Sequence, residues 1–219
     1  MPPRRRLETE LHKVHTGILH MGTLAEEALH KAMAALAEKD TTAAQLVIDE
    51  DSVIDTAQAE IEDLVTRVIA IEQPVAEDLR ILITCIKLAA DIERIGDHAR
   101  HIAKAVDRVS RHGIEVALPR LLRMSELGIG MLHDVLTAFM DGDTAMAEAI
   151  AARDDLIDEL HRTAYREIIA YMQEDPAHIE DGTRLLLLCR FLERLGDHVT
   201  NMCEWVVYAR TGHHPELND

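Results

Sequence analysis

The sequence predicts an all-α protein: a tandem repeat of two antiparallel three-helix bundles, six long helices in all. Three observations carry this. Apolar residues make up 47% of the 219-residue chain but aromatics only 3%, so Leu, Ile, Val, Ala and Met fill the core, and most of these favour helices. The 6 Pro and 10 Gly are too few for the many tight turns of an all-β fold. Finally, Glu93-Arg94-Ile95-Gly96-Asp97-His98 returns as Glu193-Arg194-Leu195-Gly196-Asp197-His198, changed only from Ile to Leu.

The repeat extends upstream. Asp51-Ser52-Val53-Ile54-Asp55 pairs with Asp154-Asp155-Leu156-Ile157-Asp158, Asp40 with Asp143, His30 with His133 and Met21 with Met124. These pairs are 103 apart and the longer motif 100 apart, so the second copy lacks three residues between its second and third helices. A loop absorbs such a deletion, because closure entropy changes slowly with length.

Breakers divide each copy into three helices. In the first they fall near 7–38, 42–72 and 75–110. Asp40 N-caps the second helix, Pro74 sits in the first turn of the third, and Gly113 follows its end. In the second copy the helices fall near 117–140, 144–174 and 176–210. Gly142 and Asp143 supply a stop and a start, and Asp175-Pro176 reads as N-cap and first residue, although Gly182 offers a later start. Cys85, Leu88, Ile92, Ile95, Ala99, Ile102 and Val106 step by three and four, the seam of a packed helix. Helices of this length with short connections become antiparallel neighbours. The two repeats span 7–113 and 117–212, with no Gly- or Ser-rich linker between them, so a shared interface is expected.

The formal net charge is −17, which makes nucleic acid a poor partner, since phosphate binding needs clustered Lys and Arg. A cation or a basic protein suits that field better, and Arg4-Arg5-Arg6 reads as a solvated terminus. Cys85, Cys189 and Cys203 lack any CxxC spacing and fall inside helical patterns, as reduced core residues of a cytosolic protein do. No apolar run approaches the roughly 20 residues that cross a bilayer, and no apolar stretch follows the basic N-terminus as in a signal peptide. A cytoplasmic protein is expected.

Paired carboxylates carry the chemistry. Residues four apart share a helix face, and Asp51 with Asp55, Glu93 with Asp97, Asp154 with Asp158 and Glu193 with Asp197 are so spaced. Each repeat places one pair on its second helix and one on its third, so four carboxylates can converge in each half. Like charges at this spacing cost a few tenths of a kcal/mol, and a bound cation reverses that penalty. Such oxygen sets suit Mg, Mn, Ca or iron, and Zn less well. They also serve as solvated faces or ion-pair partners, with Arg94 and Arg194 as neutralising neighbours. On a helical wheel Glu93 and Asp97 lie beside the apolar seam, at the edge of the bundle. Gly96 and Gly196, costly inside helices, indicate close helix approach and clear space beside the carboxylates. His101 shares a face with Asp97 and is a candidate ligand or supporting donor, while its counterpart Asn201 favours the supporting role. His98 and His198 point about 100° from the preceding Asp, and His30 and His133 read as surface or satisfied core residues. No P-loop, dinucleotide turn or nucleophile elbow is present, nor the paired Glu-x-x-His of a di-iron bundle. An enzyme is not expected.

Gln73-Pro74-Val75-Ala76-Glu77-Asp78-Leu79-Arg80, Ile86-Lys87, and Asp91 through Ala99 resemble the signature of the PhoU family of phosphate-uptake regulators. Leu192 through His198, Asn201 and the tail Val207 through Gly212 resemble its C-terminal half, so the likeness runs from about Leu11 to Gly212. The resemblance implies two three-helix bundles, associated as a dimer. It implies a negative regulator of the phosphate-starvation response and of high-affinity phosphate uptake. Such a protein links the ATPase subunit of a phosphate ABC transporter to a membrane sensor histidine kinase, and meets the membrane only through those partners. Some members carry metal on Glu/Asp-x-x-x-Asp motifs, which makes Asp51, Asp55, Glu93, Asp97, Asp154, Asp158, Glu193 and Asp197 the candidate ligands of Fe, Mn, Mg or Zn. The second copy has Pro176 through Gly182 where the first has the Pro-Val-Ala-Glu-Asp-Leu-Arg run, so equal roles for the two halves do not follow. The alternatives are a metal-dependent hydrolase or oxidase on the same carboxylates, and a transporter accessory protein without a signalling role.

Overall fold

The computed structural model describes residues 3–217, and every regular element among them is helical. In chain order these are α1 (Pro3–Glu38), α2 (Thr41–Glu72), α3 (Ala76–Ala105), α4 (Arg111–Asp141), α5 (Thr144–Ala151), α6 (Asp154–Glu174), a 3₁₀ turn at Pro176–His178, and α7 (Ile179–Thr211). Helices α1, α2 and α3 pack on one another, and α4 to α7 form the second bundle. The halves meet mainly along α3 and α7, with α1 against α4 beside them.

The seam of α3 is buried as its spacing requires: Cys85, Leu88, Ile92, Ile95, Ala99, Ile102 and Val106 are fully inaccessible. All three cysteines are buried and unpaired. Asp40 caps α2 by accepting from the backbone N–H groups of Thr42 and Ala43, and Asp143 caps α5 through that of Met146. Each cap satisfies donors that a helix start otherwise leaves open.

Several boundaries differ from those the sequence predicts. Helix α1 starts at Pro3 rather than near residue 7. Pro74 lies before the N-cap of α3, which is Val75. Helix α3 ends at Ala105 and α4 begins at Arg111, so Gly113 lies in the first turn of α4, where its N–H donates to Ser110 Oγ. Gly113 and Pro119 both resemble breakers, but burial of Ile114, Ala117 and Leu121 draws this stretch into the bundle and outweighs their propensity. The rod expected over 144–174 is interrupted after Ala151. There the Arg153 N–H bonds to the Ile150 carbonyl and the Leu156 N–H to the Arg153 carbonyl, the tighter i to i−3 pattern of a 3₁₀ turn. After the Pro176–His178 turn, α7 starts at Ile179, before Gly182. Adding a Cβ at Gly182 would bring it 2.1 Å from Met172 Cγ, so close packing on α6 accounts for that glycine.

The ends of α3 and α7 are clamped to each other's beginnings. Arg80, in the first turns of α3, donates from Nε to the Ala209 carbonyl at 3.2 Å and from Nη2 to the Arg210 carbonyl at 3.4 Å. At the other end Asp181 Oδ1 accepts from the Ser110 N–H at 3.1 Å, and Arg184 donates to the Arg108 carbonyl. These side chains meet carbonyl and N–H groups that helix ends leave without intrahelical partners. The Pro-Val-Ala-Glu-Asp-Leu-Arg run and its divergent counterpart therefore both fasten the far helix.

Candidate carboxylate sites

The eight predicted carboxylates gather into two sets of four, one per repeat. Their mutual electrostatic influence shows it: the ionisation of Glu93 is opposed by burial first, then by Asp97, with Asp55 and Asp51 adding and Arg94 counteracting. In the second repeat Asp154 is held up by burial, then by Asp197, Asp158 and Glu193. Asp51, Glu93, Asp97, Asp154, Glu193 and Asp197 are half-buried, while Asp55 and Asp158 are exposed. The sites thus lie at the bundle edge.

The two sets differ at their centres. In the first repeat, Arg100 reaches from α3 to both helices, with Nη1 2.9 Å from Asp51 Oδ2 and Nη2 on Asp97 Oδ1. Arg94 sits 3.4 Å from Glu93 and 3.2 Å from Asp97. Burial still raises the Asp51 carboxyl, opposed by Arg100 and reinforced by Asp55 and Asp97. In the second repeat the equivalent of Arg100 is Thr200, fully buried. Arg190 pairs with Glu193, but Asp154 Oδ1 and Glu193 Oε2 are buried without a hydrogen-bond partner. Burial, with four neighbouring carboxylates, Asp155 among them, pushes the Asp154 carboxyl up to about 7, because taking a charge out of water beside like charges favours its neutral form. Glu193 is raised the same way, by burial and then by Asp197.

The glycines divide the same way. A Cβ at Gly96 would come 2.8 Å from Ile54 Cδ1, whereas one at Gly196 would lie 1.9 Å from Asp154 Oδ1. Gly96 serves close packing, and Gly196 makes room for a carboxylate. His161, which the sequence did not single out, feels Asp158 and Asp197, although burial lowers its basicity. Among the described residues, no three or more His, Cys, Asp or Glu side chains stand where a single ion would be ligated. In the second set, among the described residues, no guanidinium spans the two helices as Arg100 does in the first.

A histidine seam lies where α3 meets α7. His198 Nδ1 is 2.9 Å from Asp91 Oδ1. At the pseudo-equivalent position Phe191 replaces Asp91, and His98 stacks on it at 5.5 Å while standing 5.5 Å from His198. Both ring nitrogens of His98 are buried without a partner, and burial, aided by His198 and Arg194, lowers its pKa to about 3. His101 stacks on Phe191 at 4.9 Å, which gives it a packing role. His30 and His133 are exposed.

The PhoU domain matches this chain twice, over residues 18–106 and 121–206. The chain belongs to the PhoU family. It is 37% identical over 217 residues to a phosphate-specific transport system accessory protein PhoU homolog of Clostridium acetobutylicum, covering 99% of each chain. A Streptococcus pneumoniae protein of the same description is 36% identical over 215 residues, covering 98% of this chain and 100% of that one. The fold superposes on the crystal structure of the phosphate transport system regulatory protein PhoU from Streptococcus pneumoniae with a TM-score of 0.90, covering 96% of this chain and 99% of that one at 36% identity. PhoU from Pseudomonas aeruginosa gives 0.86 at 33% identity, covering 94% and 99%. Within this PhoU-family chain the repeated Glu-Arg-x-Gly-Asp-His motif does three jobs: the Glu and Asp build the carboxylate set, the Gly admits the neighbouring helix, and the His enters the seam between halves. Among the described residues no helix is long and apolar enough to cross a membrane.

Proposed function

We propose that this chain is a cytoplasmic, dimeric accessory protein of phosphate uptake. It restrains the phosphate-starvation response and high-affinity uptake by bridging the ATPase subunit of a phosphate ABC transporter and a sensor histidine kinase. The observation that carries this is the end-to-end match, through both repeats, to proteins described as phosphate-specific transport system accessory proteins. The structure is compatible with an adaptor: two fused bundles offer long helical faces. Deleting the gene and following a phosphate-starvation reporter in excess phosphate tests the role. The reporter should stay on without the chain and switch off when it is restored. A reporter that responds normally in the deletion strain would refute the regulatory role.

The second carboxylate set is the proposed metal site, held by Asp154, Asp158, Glu193 and Asp197. Its donors are hard oxygens suited to Mn, Mg or iron, and two are buried without a partner. A cation there would compensate the carboxylate charge that Arg100 compensates in the first repeat. Asp51, Asp55, Glu93 and Asp97 form the weaker candidate, because a guanidinium already bridges Asp51 and Asp97. Elemental analysis of untreated protein, beside the Asp154→Ala and Asp51→Ala variants, tests the assignment. Metal lost only with Asp154→Ala supports it, and metal lost only with Asp51→Ala reverses it. Saturable turnover of phosphate esters or peroxide that Asp197→Ala abolishes would favour the enzyme alternative.

A further inference from the structure

We infer that the groove between α1 and α2 of the first repeat is a docking surface for a basic amphipathic helix. The inference rests on the adaptor role and specifies where one partner binds. Two hollows, of about 290 and 330 Å³, lie along this groove. Leu24, Val47 and Ile54 line the first, and Ala35, Ala43 and Leu46 the second. The contribution of α1 runs from Leu24 to Lys31 in one and from Lys31 to Glu38 in the other. The hollows are therefore offset by two helical turns, about 10 Å. An incoming helix presents apolar anchors seven residues apart at that spacing. Val53 at the first hollow and Leu46 at the second remain 48% and 56% exposed, open to an incoming apolar side chain.

Charge selects the occupant. Glu27 and Glu50 rim the first hollow, and Glu38, Asp40 and Glu50 the second. Among the described residues Lys31 is the one cation lining either hollow, and it is engaged with Glu50 at 2.9 Å. An apolar floor with acidic borders on a chain of net charge −17 is complementary to a helix with Leu-type anchors and Lys or Arg flanks. The second repeat does not offer the same surface. There the ion pair is reversed, Lys31–Glu50 becoming Asp134–Arg153, Glu27 becomes Gly130, and Arg153 Nη2 lies 3.3 Å from the Cβ position of that glycine.

The test is fluorescence polarisation of a labelled peptide of about 18 residues, some 27 Å of helix, with leucines on one face and lysines on both flanks. It is titrated with the full chain and with Leu46→Arg, Val53→Arg and Leu156→Arg, the last being the second-repeat counterpart of Val53. Urea unfolding confirms that each variant folds; both groove positions are exposed. The amphipathic peptide should bind at least about tenfold tighter than a scrambled peptide of equal composition, and Leu46→Arg and Val53→Arg should each weaken it about tenfold while Leu156→Arg does not. Added salt should weaken binding. Equal binding of the scrambled peptide, insensitivity to the groove variants, or equal loss with Leu156→Arg would overturn the proposal. So would conversion of a dimer to monomer by Val53→Arg, which would make a second copy the occupant. Because these readings use purified protein, their failure leaves the reporter result standing, and a failed reporter leaves them standing in turn.

Discussion

Replacing Arg100 by alanine isolates the feature that separates the two carboxylate sets. The guanidinium bridges Asp51 and Asp97, whose side chains are 9% and 16% exposed, and is itself 30% exposed. Its removal breaks a charge-assisted hydrogen bond to Asp97 and an ion pair with Asp51, and leaves Asp51 half-buried among like charges. Such a hydrogen bond contributes about 1.5–3 kcal/mol when buried, and breaking a buried pair costs about 3–5 kcal/mol. Discounted for partial exposure, the loss at pH 7.5 is about 2–4 kcal/mol, or roughly 10 °C in Tm for a chain of this size. The loss should depend on pH. Without Arg100 the Asp51 carboxyl, already raised by burial, rises further, so the folded variant holds a proton that the unfolded chain gives up. Stability of the variant relative to the parent then falls as pH climbs above the ordinary aspartate value of about 4. Urea unfolding at pH 4.5 and 7.5 measures both quantities. A loss below about 0.5 kcal/mol, the range of a solvated surface pair, or an equal loss at both values, would refute this account of Arg100.

Three further outcomes follow from the same packing. In protein stripped of metal by a chelator, Asp154→Asn should stabilise the chain above neutrality by about 1–3 kcal/mol. With the folded carboxyl near 7 and the unfolded one near 3.8, the parent loses stability as pH rises from about 4 to 7, and calorimetry across that window should find the loss absent from the variant. His98 acts oppositely: its folded pKa near 3 lies below the ordinary histidine value of 6.5, so its contribution is intact above pH 6.5 and fades below it. At pH 5 the parent should have lost about 2 kcal/mol to this group, a loss that His98→Leu removes; identical acid profiles would contradict it. Arg80→Ala frees the carbonyls of Ala209 and Arg210 and should cost about 1–2 kcal/mol, with faster amide exchange confined to the last turns of α7. Uniform exchange along α7 would show that Arg80 does not act as a local clamp.

The helical class, the repeat and the two acidic quartets were legible in the residue order, because periodicity and spacing on a helix already determine which side chains share a face. Asp40 and Asp143 could be recognised as caps because capping is local chemistry. The errors fell where local signals compete with burial. Gly113 looks like the end of the third helix and lies inside α4, and the rod expected at 144–174 breaks at Arg153, whose guanidinium is held by Asp134 on another helix. The substitution of Thr200 for Arg100 was visible in the aligned repeats, but its consequence was not.

The sequence by itself determined what the helices offer: an apolar stripe on each, a pair of carboxylates one turn apart on the second and third of each repeat, and a glycine within the pair on the third. Only the tertiary structure decided what those groups meet. It brought Arg100 between Asp51 and Asp97, left Asp154 Oδ1 and Glu193 Oε2 without a partner, and set His98 against Phe191 while His198 found Asp91. The reason is physical: spacing along one helix specifies a direction, whereas pairing and desolvation depend on distances to other helices, set by how two bundles of similar sequence pack together.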